Sequence, residues 1–467
     1  MTGSTTTALI MAAGEGTRMR SSLPKVLHPV CGRVMIAWPI LAARSAGVDR
    51  VAVIVSPNRD LGEHLPDDVE TIVQHQSDGT GGAVRAAMDI VRESSEVLVL
   101  SGDVPLVSAE VISELLTAHR GSGASATVMT AILEDPGAYG RVVRDRDGAV
   151  EKIVEAKAAG DATDAELLIK EINSGTYVFQ GESLASALGE IGSDNAQGEY
   201  YLPDVLAVMR ERSEHVSAHI AEDAAVNLGV NNRVDLATVE AEARQRILEG
   251  HMLAGVTIVD PVSTWIDADV IIGEDARIEP GTSLRGATEI GAGAAIGPHT
   301  TIIDSGIGAG SQVVSSHLVL CEVMANCSVG PFAYLRPGAT LQDGSKAGTF
   351  VEIKNSTVGE DAKVPHLSYV GDADIGKGAN LGAGTITANY DGVNKHRTKV
   401  GPGARVGVDT MLVAPVEIGE GAYTGAGAVI RDNVPPGSLA VSRGDQRTIE
   451  EYAERRKSQA AEQEPDS

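Results

Sequence analysis

A glycine-rich segment near the N-terminus carries two cations at a short spacing. Gly14 and Gly16 are followed by Arg18 and Lys25. Glycines allow main-chain N–H groups to approach phosphate oxygens, and two cations suit a triphosphate. Met19 stands where a dinucleotide-binding loop needs its third glycine, and the Gly-Lys-Ser/Thr of a Walker P-loop is missing. A phosphate-binding loop of another kind is therefore expected.

A carboxylate lies at the end of a predicted strand in the same half of the chain. Asp103 follows Ser101 and Gly102 directly after an apolar run. Oxygen ligands of this kind are what Mg²⁺ requires. Taken alone, Asp103 could equally cap a helix.

The second half carries a histidine in the segment PHLSYVGDA, residues 365–373, and a polar insertion at residues 389–398. A lone histidine is more often structural than catalytic. The insertion interrupts a regular repeat, so it must project from the repeating structure, and projecting loops commonly bind a ligand. This context favours a catalytic role for His366.

The elements of the first half alternate between buried strands and helices, which indicates βαβ units and a mainly parallel sheet. Ligands then belong at the carboxyl ends of the strands. The predicted strands are residues 8–13, 51–56 and 97–101, and the predicted helices are residues 34–45, 82–92 and 108–119.

Beyond residue 255 an aliphatic residue recurs every six positions. Such a repeat predicts a prism-shaped parallel β-helix, in which each hexad forms one flat side and its aliphatic side chain fills the axis. A glycine-rich loop region or a β-sandwich would produce this spacing only by chance. The predicted axial residues, with a slip of one at Ile307, are Ile272, Ile278, Leu284, Ile290, Ile296, Ile302, Ile307, Val323, Val329, Leu335, Leu341, Val358, Val364, Val370, Ile375, Leu381, Val400, Val406 and Leu412.

The strand–helix alternation of the first half and the six-residue repeat of the second half predict two domains, and the residues between them predict a connecting helix. We expect a nucleotide-binding α/β domain at residues 1–232, a linker helix at 233–253, and a β-helix domain with a polar tail at 254–467. The coils of a solenoid cannot close off their own ends, so capping and side-by-side association are expected.

Composition excludes several classes of partner. The formal charge of −26 opposes binding to nucleic acid or to an anionic membrane. The 3 cysteines are too few for a disulfide framework, which fits a reducing compartment. No secretory leader or membrane span is predicted, so a cytoplasmic location is expected.

Short segments in series along the chain resemble one enzyme family. They include residues 11–25, 74–81 (QHQSDGTG), 101–106 (SGDVPL), 195–203 (NAQGEYYLP) and 382–392 (GAGTITANYDG). The first is similar to the signature of sugar-nucleotide pyrophosphorylases. The series as a whole resembles the bifunctional N-acetylglucosamine-1-phosphate uridylyltransferase/glucosamine-1-phosphate N-acetyltransferase family. The resemblance implies a Rossmann-like nucleotidyltransferase domain followed by a left-handed β-helix, and a homotrimer.

For the first half, the resemblance implies uridylyl transfer from UTP with Mg²⁺. Arg18 and Lys25 would act on the phosphates, and Asp103 with Asn231 would bind the metal. The residues implied for UTP and sugar-phosphate binding are Ala12, Ala13, Gly14, Lys25, Gln74, Gly79, Thr80, Gly140, Glu155, Asn173 and Asn231.

For the second half, the resemblance implies acetyl transfer from acetyl-CoA to glucosamine 1-phosphate, with His366 as the general base. The sugar phosphate would contact Arg336, Lys354, Tyr369, Asn380 and Lys395. The acetyl-CoA site would contain Ala383, Asn389, Tyr390, Val408, Ala426 and Arg443. The product, UDP-N-acetylglucosamine, implies a role in bacterial peptidoglycan synthesis and so in cell wall biogenesis and cell shape.

Three departures from the family pattern and two alternatives remain. Gly82 stands where the family commonly has histidine, Val408 where it often has a hydroxyl residue, and residues 156–160 are altered. One alternative is a single-activity sugar-phosphate nucleotidyltransferase whose β-helix serves assembly or regulation. The other is a non-enzymatic interaction scaffold, which the set of Arg18, Lys25 and Asp103 disfavours.

Overall fold

The computed structural model describes residues 5–59, 61–156, 162–194, 198–442, 444, 446 and 448–461. The chain forms two compact units. The N-terminal unit comprises residues 1–250 and 266–269, and the C-terminal unit comprises residues 251–265 and 270–467. None of the helices in the described ranges is both long enough and apolar enough to cross a membrane.

The N-terminal unit is built from strands and helices that alternate over most of its length. Its strands are β1 (Thr6–Met11), β2 (Pro29–Val30), β3 (Arg33–Val34), β4 (Arg50–Val55), β5 (Glu70–Val73), β6 (Glu96–Ser101), β7 (Ala126–Ile132), β8 (Arg141–Arg144), β9 (Val150–Val154), β10 (Glu171–Gln180) and β11 (Val216–Ile220). Its helices are α1 (Ala37–Ser45), α2 (Gly79–Ala86), α3 (Met88–Glu93), α4 (Ala109–Ser122), α5 (Asp164–Leu167), α6 (Gly181–Leu188), α7 (Asp204–Glu211) and α8 (Arg233–Leu253). Short 3-10 helices lie at Thr17–Met19, Lys25–Leu27, Gly62–His64 and Ala224–Asn227.

The main sheet is mixed, but most of its strands run in one direction, as predicted. Its strand order is β11-β7-β10-β6-β1-β4-β5, with β8 and β9 attached beside β10. Strand β1 pairs in parallel with β4 and β6. Strand β10 lies between β6 and β7 and is antiparallel to both. The regular alternation therefore ends after β7, where the hairpin β8–β9 and the short helix α5 precede β10.

Alternate residues of the central strands fill two cores, one on each side of the sheet. Ala8 and Ile10 of β1 pack with residues of α1 and α4, whereas Leu9 packs with residues of α2, α3, α6 and α7. Both faces of these strands are therefore buried, which explains their continuous apolar sequences. The rigid sheet fixes the loops that follow β1, β5 and β6.

Helix α8 was predicted as a linker, and the structure shows that it also packs on the N-terminal unit. Val239 and Ala243 are buried in a cluster with Met35 and Leu106. Its apolar side therefore contributes to the core of that unit.

The C-terminal unit winds through three parallel sheets, here called faces 1, 2 and 3. Face 1 has 11 strands: Thr257–Ile258, Arg277–Ile278, Ala295–Ile296, Gln312–Val313, Ser328–Val329, Lys346–Thr349, Lys363–His366, Asn380–Leu381, Arg405–Val406, Tyr423–Thr424 and Leu439–Ala440. Face 2 has 10: Trp265–Ile266, Ser283–Arg285, Thr301–Ile303, His317–Val319, Tyr334–Leu335, Glu352–Lys354, Tyr369–Gly371, Ile386–Ala388, Met411–Val413 and Val429–Ile430. Face 3 has 9: Ile271–Ile272, Glu289–Ile290, Gly306–Ile307, Glu322–Val323, Thr340–Leu341, Thr357–Val358, Ala373–Ile375, Thr398–Val400 and Val416–Ile418. Helix α9 (Tyr452–Ala461) follows.

Every predicted axial residue is buried inside this prism. Ile272 pairs with Ile290, and Ile290 pairs with Ile307 on the next coil. The slip in the repeat at Ile307 is thus a coil shortened by one residue, with the axial register kept. The core is a stack of like side chains from successive coils.

Buried hydroxyl groups stabilise the corners between faces. Thr282 donates to the carbonyl oxygen of Glu279 at 2.7 Å, and Thr385 donates to that of Gly382 at 2.7 Å. Each satisfies a carbonyl group that the turn leaves outside the strand ladder, and buried carbonyls left unpaired are costly.

Candidate active sites

A cleft of about 320 Å³ lies at the carboxyl ends of β1, β5 and β6 in the N-terminal unit. Sequence analysis predicted a ligand site at these strand ends. The cleft is lined by Met11, Ala12, Ala13, Gly14, Glu15, Lys25, Val26, Gln74, Ser77, Gly79, Thr80, Ala83, Ser101, Asp103 and Glu199. Eight predicted site residues are in this set: Ala12, Ala13, Gly14, Lys25, Gln74, Gly79, Thr80 and Asp103.

Lys25 forms an ion pair with Asp103 inside the cleft. Ser101 donates a hydrogen bond of 2.7 Å to the other carboxylate oxygen, Asp103 Oδ1, and so fixes the acid at the end of β6. Gly16 has a φ of 60°, and a Cβ there would lie 2.7 Å from the Cβ of Lys25. A glycine is needed at this position both for the turn and for the approach of Lys25.

Arg18 lies beside Asn231, and neither residue lines the cleft. Arg18 Nη2 donates to Asn231 Oδ1 at 2.9 Å. The preceding residue, Val230, donates its N–H to the carbonyl oxygen of Asp103 at 2.9 Å. The chain around Asn231 is therefore anchored next to Asp103, and the two predicted cations and the two predicted metal ligands form one polar group.

Asp103 and Asn231 supply oxygen atoms that suit Mg²⁺. Proteins usually hold this ion through one or two carboxylates together with water and substrate phosphates. The described residues contain no cluster of three or more histidine, cysteine, aspartate or glutamate side chains that could hold a metal. The residues present therefore fit a metal that arrives with a nucleotide, rather than one held by the protein alone.

Gln74 and Thr80 are held by neighbouring groups at the other end of the cleft. Gln74 Nε2 donates to Asp78 Oδ1 at 2.8 Å and to the carbonyl oxygen of Gly79 at 3.1 Å. The hydroxyl of Thr80 accepts the N–H of Leu202 at 3.0 Å. Both side chains have fixed positions before any ligand enters.

Gly140, Glu155 and Asn173 form a second cluster, around β8, β9 and β10. Asn173 donates its N–H to the carbonyl oxygen of Gly140 at 2.9 Å and its side-chain amide to Tyr177 Oη at 2.7 Å. Burial, with a smaller contribution from the charge of Glu155, raises the pKa of Tyr177. These three predicted residues lie together but do not line the cleft described above.

Sequence reasoning gave no role to Ser101, Asp78 or Glu199. Ser101 and Glu199 lie in segments that carried the family resemblance, so their positions were available as a signal. Asp78 also lies in such a segment, residues 74–81, but its contact with Gln74 depends on the space left by Gly82, which the segment does not reveal. Residues 157–160 and 195–197 lie outside the described residues.

In the C-terminal unit, several predicted site residues lie at the edge between faces 2 and 3. Arg336, Lys354 and the loop residue Lys395 are all at this edge, and Tyr369 lies on face 2 close by. The phenol of Tyr369 influences the pKa of both Arg336 and Lys395, and Arg336 forms an ion pair of 2.8 Å with Glu352. The hydrogen bond between Arg336 and Glu352 raises the pKa of Arg336.

Asp372 is the buried centre of this edge, and sequence reasoning missed it. It accepts hydrogen bonds from Asn355 Nδ2 at 2.6 Å and from Asn389 Nδ2 at 2.5 Å. Burial alone would raise the pKa of Asp372, but the two amides, with the charges of Lys354 and Lys395, outweigh it and lower the pKa. The carboxylate therefore stays ionised and fixes Asn389.

A different set of predicted residues lies at the edge between faces 1 and 2. His366 ends a face 1 strand and is exposed, and its carbonyl oxygen accepts the N–H of Gly384 at 3.2 Å. Ala383 accepts the N–H of Asp409, and Val408 accepts the N–H of Gly427. The turns that contain His366, Ala383, Val408 and Ala426 thus stack on successive coils.

Asn380 lies neither with the residues at the edge between faces 2 and 3 nor with those at the edge between faces 1 and 2. It lies on face 1 between Lys363 and Arg405 in the ladder.

Tyr390 lies in the inserted loop, where it bridges to Lys395. In the same loop, hydrogen bonds from Asn394 and then from His396 lower the pKa of Asp391 to about 2. Arg443 lies outside the described residues.

Comparison with known proteins defines the class of both units. Residues 8–171 match the model of the MobA-like NTP transferase domain, and residues 269–304 match that of the bacterial transferase hexapeptide with six repeats. The fold is thus a nucleotidyltransferase unit followed by a left-handed parallel β-helix of hexapeptide-repeat acyltransferases.

Relatives match almost the whole chain. Proteins named bifunctional protein GlmU from Streptomyces avermitilis, Corynebacterium efficiens and Mycobacterium tuberculosis are 47%, 46% and 46% identical to it. The matches cover 96%, 97% and 97% of this chain and 94%, 95% and 93% of those proteins. The chain belongs to the family of bifunctional GlmU proteins, and it is an enzyme with a nucleotidyltransferase unit and an acyltransferase unit.

Proposed function

We propose that the C-terminal unit transfers an acetyl group from acetyl-CoA to glucosamine 1-phosphate. The N-terminal unit then transfers a uridylyl group from UTP to the N-acetylglucosamine 1-phosphate so formed. The products are CoA, pyrophosphate and UDP-N-acetylglucosamine. The observation that carries the proposal is the 46–47% identity to bifunctional relatives over both units, each of which holds a set of charged residues suited to a phosphorylated ligand.

In the uridylyl transfer, a phosphate oxygen of the sugar phosphate attacks the α-phosphorus of UTP. The bond from that phosphorus to the bridging oxygen breaks, and pyrophosphate leaves. Lys25 and Arg18 neutralise charge on the phosphates, while Gly14 lets main-chain N–H groups approach them. Such reactions depend mostly on positioning and on charge neutralisation, which fixed cations supply.

Mg²⁺ would be held for this step by Asp103, Asn231 and the nucleotide. When bound, it would supply further positive charge to the phosphates. Ser101 fixes the carboxylate of Asp103, and Val230 anchors the neighbouring main chain. The sugar end of the substrate is assigned to Gly140, Glu155 and Asn173, together with Asn231.

In the acetyl transfer, the sugar amine attacks the thioester carbonyl carbon and the CoA sulfur leaves. His366 accepts the proton that the amine loses, and a positioned base of this kind contributes a factor of about 10² to 10⁴ to the rate. Arg336, Lys354 and Lys395 hold the phosphate, and Tyr369 contacts the sugar. Acetyl-CoA lies along the turns of Ala383, Val408 and Ala426, with Asn389, Tyr390 and Arg443 completing its site.

The enzyme acts as a homotrimer with acetyltransferase sites between β-helices. Phe332, Phe350 and Leu367 form an apolar stripe at the edge between faces 1 and 2, more than half exposed at each residue. The rings of Phe332 and Phe350 stack with centroids 5.3 Å apart. The stripe continues to His366, so a second copy of the chain seated on it would form a wall of the site.

The proposed product supplies an activated amino sugar for polymer synthesis. We assign the protein to peptidoglycan precursor synthesis in the cytoplasm, where UTP and acetyl-CoA are available. A negative charge of −26 fits a protein that binds anionic ligands locally and neither nucleic acid nor membrane.

A mass-spectrometric assay of the purified chain tests the proposal. With glucosamine 1-phosphate, acetyl-CoA, UTP and Mg²⁺, we expect CoA, pyrophosphate and UDP-N-acetylglucosamine. Omission of acetyl-CoA should stop the sequence before the nucleotide step, and added N-acetylglucosamine 1-phosphate should restore it. Formation of UDP-sugar without any release of CoA from acetyl-CoA would instead establish a single-activity nucleotidyltransferase.

A further inference from the structure

A side-chain amide of fixed position faces the cleft of the N-terminal unit. Gln74 follows β5 and is 7% exposed. Among the described residues that line the cleft, it is the one that carries a side-chain amide. Lys25, Asp103, Glu15 and Glu199 are the charged residues of this lining, and Ser77, Thr80 and Ser101 carry hydroxyl groups. Gln74 is the lining residue whose planar side-chain amide matches the hydrogen-bonding edge of a base.

The hydrogen-bond partners of the Gln74 amide determine which of its atoms points into the cleft. Its nitrogen donates to Asp78 Oδ1 at 2.8 Å and to the carbonyl oxygen of Gly79 at 3.1 Å. A carboxylate and a carbonyl oxygen only accept hydrogen bonds. If the amide rotated by half a turn, its oxygen would face two acceptors and both bonds would be lost. Gln74 Oε1 is therefore the atom left to meet a ligand.

The position of Asp78 depends on the absence of a side chain at residue 82. A Cβ at Gly82 would lie 1.9 Å from Asp78 Oδ1 and 2.2 Å from Asp78 Cγ. The backbone of Gly82 lies outside the positive-φ region, so alanine could adopt it without strain. An alanine here would displace the carboxylate from Gln74 and leave the helix backbone in place.

We propose that Asp78 is a positioning residue that sets the base specificity of the enzyme through Gln74. With its nitrogen held, Gln74 presents an acceptor that pairs with the N3–H of uracil and repels the N3 lone pair of cytosine. Gly82 provides the space that this arrangement needs. The inference rests on the proposed function, in which UTP is the nucleotide donor.

The test compares UTP with CTP as donors to N-acetylglucosamine 1-phosphate. In the Asp78→Ala and Gly82→Ala enzymes, the ratio of kcat/KM for UTP to that for CTP should fall by about tenfold, the worth of one charge-assisted hydrogen bond. CTP turnover should rise because the freed amide can rotate and donate to cytosine N3. Asp78→Asn keeps an acceptor oxygen and should retain most of the selectivity.

Asp89→Ala is the matched control, because Asp89 is an exposed carboxylate on α3, outside the cleft, and its loss should leave the ratio unchanged. Thermal unfolding of each variant reports whether it is folded. If Asp78→Ala lowered turnover of both nucleotides in the same proportion, Asp78 would be merely structural and the proposal would be wrong. If the unmodified enzyme did not use UTP, the proposed function itself would fail instead.

Discussion

The ammonium groups of Lys354 and Lys395 lie together at the edge between faces 2 and 3. The direct contact with Lys354, and then its charge, lower the pKa of Lys395. The one buried carboxylate beside them, Asp372, already accepts hydrogen bonds from two asparagines. Two like charges held this close create a local excess of positive charge, and a phosphate group would relieve the repulsion.

Binding of glucosamine 1-phosphate should therefore be accompanied by proton uptake. Because the pKa of Lys395 is lowered in the free protein, this lysine loses its proton below the ordinary lysine value of about 10.4, and an anionic ligand restores it. Calorimetry in buffers of different ionisation enthalpy should show uptake between neutral pH and that value. Lys354→Met should abolish the uptake, whereas Lys399→Met, on face 3, should not. Uptake that persists in Lys354→Met would contradict the pairing.

Removal of the imidazole at residue 366 should separate the two activities. His366→Ala should lower acetyl transfer by about 10² to 10⁴, the usual effect of losing a general base. Uridylyl transfer to supplied N-acetylglucosamine 1-phosphate should be unchanged. A thiol-release assay measures the first activity and pyrophosphate release the second. His299→Ala is the control, because His299 lies at the same edge between faces 1 and 2 on an earlier coil. Equal rates of thiol release by the two variants would exclude His366 as the base.

Gly16→Ala should impair uridylyl transfer beyond its effect on stability. The new Cβ would lie 2.7 Å from the Cβ of Lys25 and would move that cation. Gly47→Ala introduces the same kind of positive-φ strain, at a φ of 80°, with no atom within 4 Å of the new Cβ. Each substitution should cost about 1 kcal/mol in the free energy of unfolding. Only Gly16→Ala should also lower kcat for UTP, and a similar kcat in both variants would argue against the contact.

Asp372→Asn should destabilise the chain at neutral pH and lose its effect in acid. The hydrogen bonds to the carboxylate contribute about 2 kcal/mol. Since the pKa of Asp372 is lowered in the folded state, this contribution is present above the unfolded value of about 3.9 and is lost as the pH falls through the folded value. Urea unfolding between pH 7 and pH 3 measures it. Asp361→Asn, an exposed residue also at positive φ, is the control, and a pH-independent difference for Asp372 would be unexpected.

A charge in the apolar stripe should prevent assembly. Phe350→Asp should yield monomers by light scattering, because the carboxylate would be buried without a partner in the proposed interface. Acetyl transfer should decrease as the trimer is lost, whereas uridylyl transfer should continue. Phe350→Leu keeps an apolar surface and should assemble. A Phe350→Asp enzyme that remained trimeric would place the interface elsewhere.

The hexad spacing was sufficient to predict the prism of the C-terminal unit, whereas its left-handedness was implied only by the family resemblance. One aliphatic residue per hexad has a single place to go, the axis of the prism, so Ile278 or Leu335 could be assigned from spacing alone. The reversed direction of β10 within the mainly parallel sheet was not predictable in this way. No strand was predicted at β10, whose sequence includes Asn173, Ser174 and Gly175, and its direction is set by its pairing with β6 and β7.

The individual site residues were predicted unevenly, for physical reasons. Lys25 could be predicted because it is a charged residue near a glycine-rich loop, and Asp103 because it is a charged residue at a strand end. The cluster around Asp372 has a weaker signal: Asn355, Asp372 and Asn389 are separated by one coil each, so a search at the coil period would have found it. The relation between Asp78 and Gly82 depends on the exact space in a loop, which no local pattern reveals.

The inserted loop leaves the prism intact. Ala373 of one coil still pairs with Thr398 of the next, although the chain between them leaves the solenoid to form the segment that carries Lys395. Ladder geometry and ligand contact are therefore encoded by separate stretches of sequence. Loops of different length or composition could be exchanged at this corner, by evolution or in the laboratory, to alter how the phosphorylated ligand is held while the scaffold is inherited unchanged.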